Sequence, residues 1–168
     1  MANPRRPFRL NVGFIIHEEI GYIHEFPFEF KKFIFEDDLE LRALRGSVTI
    51  DRTPQGLLVT GNFGGETTLE CVRCLQPFYQ SLSWSMTELY AFTERSVSDS
   101  GLLVPEDAQI DLEPIVREYA MLEIPINPIC KLNCKGLCPV CGQDLNIRDC
   151  GHHPQEDESP FSLLKKLL

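Results

Sequence analysis

Five of the seven cysteines crowd between Cys130 and Cys150, in an apolar-poor part of the chain. From Cys130 to His153 the only large apolar residues are Leu132, Leu137, Val140, Leu145 and Ile147, too few to build a core of their own. Such a stretch takes a fixed shape only if its cysteines are stapled. The count of cysteines is odd, and the start of the chain, with Arg5 and Arg6, lacks the apolar run of a secretory signal, which predicts a cytoplasmic protein. In a reducing compartment a metal ion explains the cluster better than a disulfide framework does.

The strongest local pattern is Cys138-Pro139-Val140-Cys141-Gly142. Two thiolates two residues apart grip one cation from a tight turn. Pro139 presets one turn dihedral, and Gly142 accepts a positive φ just after the second ligand. A structural zinc site needs four ligands, so this knuckle supplies half. A local completion takes Cys134 and Cys150, with His152 or Cys130 in reserve. A remote one takes Cys71 and Cys74, from a second Cys-x-x-Cys pair. Closing the longer loop costs roughly 2 kcal/mol more, which is small beside the roughly 10–16 kcal/mol of a structural zinc site. The expected zinc ligands are therefore Cys134, Cys138, Cys141 and Cys150, with Cys71, Cys74 and His152 as the alternative set.

Upstream, the dominant signal has a period of two. Phe78, Leu82, Trp84, Met86, Tyr90 and Phe92 occupy even positions, with Ser81, Ser83, Ser85 and Thr87 between them, which predicts a long strand with one buried face. Val48 and Ile50 before Thr53-Pro54-Gln55-Gly56, and Leu57, Val59 and Phe63 after it, predict a hairpin. Leu39, Leu41 and Ala43 are odd, but Leu44, Val48 and Ile50 are even, so a β-bulge near Gly46 is expected. The predicted fold class is α+β and mostly β: a curled or barrel-like antiparallel sheet of five or six strands, one main helix over Leu112–Leu122 with Asp111 as N-cap, and a small C-terminal zinc-binding module. The domain boundaries follow: a β-rich domain with its covering helix over residues 1–124, a cysteine-rich zinc module over 125–153, and a flexible tail with a short amphipathic end over 154–168.

A net charge of −9 disfavours indiscriminate binding to a polyphosphate. No apolar stretch is long enough to span a membrane. There is no Gly-rich phosphate loop, no His-Glu-x-x-His and no Gly-x-Ser-x-Gly elbow, so no catalytic residue and no small-molecule substrate are expected. The enzymatic alternative is a thiol redox protein using Cys71 and Cys74. Against it, such chemistry favours a first cysteine at a helix N-terminus, whereas Pro77 and a strand follow here.

Two segments carry a family likeness: Glu70-Cys71-Val72-Arg73-Cys74-Leu75-Gln76-Pro77-Phe78, and Cys134-Lys135-Gly136-Leu137-Cys138-Pro139-Val140-Cys141-Gly142-Gln143-Asp144-Leu145-Asn146. Together they resemble the YceD family, also called large ribosomal RNA subunit accumulation protein. The resemblance runs over roughly Leu41 to Leu168. It implies a non-catalytic ribosome biogenesis factor supporting synthesis, processing or stability of large-subunit ribosomal RNA. The implied partner is pre-ribosomal RNA or an early large-subunit ribosomal protein, met by Arg73, Pro77 and Phe78. Relatives with the full tail tend to end in Cys-x-Cys, whereas this chain has Cys150-Gly151-His152, and histidine also ligates zinc. A zinc-stabilised adaptor for some other protein is a further alternative.

Overall fold

The alternation from Phe78 onward becomes a strand in the computed structural model, which describes residues 6–36 and 38–152. Strand β5 (Pro77–Ala91) buries Leu82, Trp84, Met86 and Tyr90 and turns the intervening serines to solvent. Before it come β1 (Arg9–Asn11), a single helical turn α1 (Gly13–Ile16), β2 (Ile23–Phe35), β3 (Leu39–Arg52) and β4 (Gly56–Glu70). After it come β6 (Gln109–Asp111) and α2 (Glu113–Leu122). By its contacts the chain divides into two compact units, Met1–Leu69 with Phe78–Ile126, and Glu70–Pro77 with Asn127–Leu168.

In the first unit, β2, β3, β4 and β5 form one sheet in that order, and β1 pairs with β6 in a second, two-stranded sheet. The expected barrel-like closure does not form among the described residues. Strands β1 and β6 pair with each other through Leu10 and Ile110 instead of bridging β2 to β5, so the large sheet stays open. Only three residues separate β2 from β3 and three separate β3 from β4. Thr53 and Gly56 close the β3–β4 turn: the Thr53 N–H donates to the Gly56 carbonyl at 2.9 Å, and the Gly56 N–H donates to Thr53 Oγ1 at 3.1 Å. A side chain at Gly56 would lie 2.2 Å from the Tyr90 carbonyl oxygen, so only glycine fits.

The change of face in β3 is real. Its pairing with β4 shifts between Arg42 and Arg45, and Ala43 takes φ 48°. Leu39 and Leu41 before the bulge and Leu44, Val48 and Ile50 after it all reach the core. The extra residue sits just ahead of Gly46, where close packing against Asn62 and Phe63 leaves no room for a Cβ.

The core gathers aromatic rings around Phe8, which stacks on Phe28 at 4.8 Å and meets Phe33 edge-on at 5.1 Å. Helix α2 adds Val116 and Ala120, and Leu112 is buried at its entry. Asp111 acts one position earlier than expected: Leu112 occupies the cap position, and Asp111 Oδ1 accepts from the Glu113 N–H at 3.1 Å. Leu122, at the end of the helix, is 76% exposed. No helix among the described residues is long and apolar enough to cross a membrane. The amphipathic end expected beyond residue 153 lies outside the described residues.

Candidate metal centre

Among its described residues the second unit buries no aliphatic side chain. Leu132, Val140 and Ile147 are 91%, 71% and 80% exposed, and the buried positions among the described residues are Cys71, Cys74, Cys134, Cys138 and Gly136. Thiols occupy the place of a hydrophobic core.

Two turns of one design present them. In the first, the Leu75 N–H donates to the Cys71 carbonyl at 2.8 Å and the Cys71 N–H to the Gln76 carbonyl at 3.0 Å. In the second, the Gly142 N–H donates to the Cys138 carbonyl at 2.9 Å and the Cys138 N–H to the Gln143 carbonyl at 2.8 Å. The residue after the second cysteine is left-handed in both, Leu75 at φ 59° and Gly142 at φ 72°. The shared spacing Cys-x-x-Cys-x-Gln underlies this equivalence, and it was available in the sequence as a repeat.

The thiols fall into two groups of four donors. Cys71, Cys74, Cys130 and Cys134 form one, and Cys138, Cys141, Cys150 and His152 the other, with the ligand atoms of each group within 4.8 Å of one another. Cys134 thus stands with Cys71 and Cys74 rather than with Cys138, Cys141 and Cys150, the local set favoured by loop entropy. Cys130, held only in reserve by sequence reasoning, completes the first group. Its three-residue spacing from Cys134 was the signal for it. His152 completes the second group, with Nδ1 3.4 Å from Cys150 Sγ.

The donor geometry fits a tetrahedral ion. Four sulfurs about 2.3 Å from a zinc ion would stand about 3.8 Å from one another. Here Cys71 and Cys134 Sγ are 3.9 Å apart and Cys74 and Cys130 Sγ 3.7 Å. Donor sets of thiolate and imidazole without carboxylate suit zinc rather than calcium or magnesium.

The electrostatics point the same way. Burial opposes ionisation of Cys71, but the N–H groups of Cys130, Cys74 and Arg73 prevail and bring its thiol down to about 6. Burial likewise opposes Cys134, yet the Asn146 amide and the Gly136 N–H lower it. Burial and the neighbouring Cys74, Cys134 and Cys71 push Cys130 up to about 12. In the second group the N–H groups of Cys141 and Val140 bring Cys138 to about 6. The N–H of His152 favours the Cys150 thiolate, but Cys138, burial and Cys141 together raise it. Some thiols are thus prepared for ionisation and others are held back by it. A divalent cation removes that conflict.

Outer contacts hold the ligands. The Asn146 side-chain amide donates to Cys134 Sγ at 3.4 Å while its Oδ1 accepts from the Lys135 N–H at 2.9 Å. Arg73, expected to meet a partner, spends one guanidinium N–H on the Cys134 carbonyl at 3.0 Å. Pro77 is exposed and Phe78 half-buried.

An open antiparallel sheet joined to a unit built around thiols defines the class: a β-rich protein with candidate metal-binding cysteine clusters. The chain belongs to the YceD family, whose model, described as "Large ribosomal RNA subunit accumulation protein YceD", matches residues 59–168 and so includes both cysteine turns. An uncharacterized protein of Mycobacterium tuberculosis is 32% identical over 78% of this chain and 61% of its own length. The uncharacterized protein YlbN of Bacillus subtilis is 31% identical over 62% of each. The "Large ribosomal RNA subunit accumulation protein YCED homolog 1, chloroplastic" of Arabidopsis thaliana is 38% identical over 38% of this chain and 20% of its own. The chain spans about three-fifths of the length of the Mycobacterium bovis and Mycobacterium tuberculosis relatives it matches. No solved structure matches it significantly.

Proposed function

We propose that this chain is a non-catalytic ribosome biogenesis factor supporting the synthesis, processing or stability of large-subunit ribosomal RNA. The observation that carries the reading is the family match over residues 59–168, together with the name of the Arabidopsis thaliana relative. The partner is pre-ribosomal RNA or an early large-subunit ribosomal protein, and the second unit, fixed by structural zinc, is the part offered to it. Zinc here would supply cross-linking: closed four-donor cages keep no position free for a substrate. With a net charge of −9, contact with RNA has to be local, through the Cys71–Phe78 turn with Arg73, Pro77 and Phe78, or to run through a protein. Depleting the protein and measuring the ratio of large- to small-subunit RNA tests the reading. The ratio is expected to fall, and an unchanged ratio refutes it.

The ionisable Cys71 favours a second reading, a thiol redox protein using Cys71 and Cys74. Both thiols are already close to partners, Cys134 and Cys130, which supports ligation instead. Thiol titration with and without a chelator separates the two. A redox pair reacts in metal-loaded protein, whereas ligands stay protected until the ion is removed.

A further inference from the structure

Eight donors are more than one zinc ion can use. A structural zinc takes four ligands, and the eight side chains divide into two sets of four that share no member. Each set pairs one turn with a second pair from further along the chain. The turn at Cys71 and Cys74 meets Cys130 and Cys134, and the turn at Cys138 and Cys141 meets Cys150 and His152.

The sets also differ in access. Three members of the first are buried, Cys71 at 0%, Cys74 at 3% and Cys134 at 3%. In the second only Cys138 is buried, while Cys141 and His152 are exposed. The two are linked by backbone and side chain. The Leu145 N–H donates to the Gly136 carbonyl at 3.0 Å, the Leu137 N–H to the Arg73 carbonyl at 2.9 Å, and Asn146, which lies between Cys141 and Cys150 in sequence, bonds Cys134 Sγ.

We propose that the chain binds two zinc ions in separate sites, a closed all-sulfur site of Cys71, Cys74, Cys130 and Cys134 and a more open site of Cys138, Cys141, Cys150 and His152, and that the open site exchanges its ion first. The inference rests on the structural-zinc part of the functional reading and adds the number of ions, the ligands of each and the order of release. Chelators and competing thiols reach the open site through Cys141 and His152, whereas the closed site yields its ion only after the turns around it loosen. Between the two events lies a form with one ion, in which residues 138–152 are released and the Cys71 turn is still held.

The experiment uses the full chain purified under reducing conditions, with metal content measured directly. Two zinc ions per chain are expected. The variant Cys141→Ser/His152→Ala is expected to retain one, and its cobalt-substituted form to show the spectrum of an all-sulfur tetrahedral site. The variant Cys71→Ser/Cys74→Ser is expected to lose the all-sulfur signature. If it does not fold, the open-site variant still decides the matter. A chelator added to the wild-type chain is expected to remove zinc in two steps, the first absent from the open-site variant. Wild-type protein with one zinc overturns the two-site assignment but leaves structural zinc standing, and protein with none overturns both. Two ions retained in Cys141→Ser/His152→Ala overturn the ligand assignment, and a single release step overturns the order.

Discussion

Replacing Gly142 by alanine and, in parallel, Leu75 by glycine turns the likeness of the two cysteine turns into a quantitative test. Gly142 sits at φ 72°, and a Cβ built there meets nothing within 4 Å, so steric contact with other residues adds no cost. What remains is the backbone penalty of a left-handed L-residue, about 1–2 kcal/mol. If the turn holds its conformation only when it ligates, the whole penalty appears in metal affinity, about 5- to 30-fold weaker binding. Leu75 occupies the equivalent position at φ 59° and already bears that strain. Its side chain is 54% exposed, so removing it forfeits little packing. Glycine relieves about 1–2 kcal/mol and returns about 0.5–1 kcal/mol as backbone entropy, leaving affinity unchanged or up to about 12-fold tighter. Competition against a chromophoric chelator, read on the full chain, gives both numbers. Gly142→Ala within twofold of wild type, or Leu75→Gly tenfold weaker, would refute the idea that these turns are strained by ligation.

Three further outcomes follow from particular contacts. Asn146→Asp removes the amide that donates to Cys134 Sγ and sets a carboxylate beside a thiolate; zinc retention by the all-sulfur site should weaken about 10- to 100-fold, as for other outer ligands of metal sites, and chelator competition measures it. Gly46→Ala would put a Cβ 2.3 Å from the Asn62 carbonyl oxygen and the Phe63 ring, so the denaturation midpoint should fall by the equivalent of about 1–3 kcal/mol, and an unchanged midpoint counts against the packing described. Arg117 donates to Asp38 and holds its carboxyl below the ordinary 3.8. A depressed carboxylate contributes stability above its ordinary value and loses it as pH falls through the lowered one, so in Arg117→Gln the Asp38 midpoint, followed by NMR, should rise toward 3.8. A midpoint that stays put would mean that the pair is not formed in solution.

The sheet could be read from the sequence because burial of one face imposes a period of two, and even the interruption in β3 showed as a change of parity between Leu41 and Leu44. Closure of the sheet could not. Whether β1 and β6 join the large sheet or pair with each other depends on partners far apart in sequence, which alternation does not encode. The cysteine turn at Cys138 was legible for a similar reason: its proline and glycine have local causes. How the donors are shared out was less so. Loop entropy leans toward neighbours in sequence, yet it amounts to roughly 2 kcal/mol. The geometry that gathers Cys130 and Cys134 with Cys71 and Cys74 depends on backbone bonds such as Val72 N–H to the Pro128 carbonyl at 2.9 Å, which no spacing rule anticipates.

The 56 residues that separate Cys74 from Cys130 also set a schedule. At the usual pace of translation, about 5–20 residues per second, the first turn is made roughly 3 to 11 seconds before its two missing sulfurs exist. Throughout that interval the newborn chain carries only the first two sulfurs of the set. Gathering of this donor set therefore waits until Cys130 and Cys134 have been made, and a chain cut short before Cys130 lacks both.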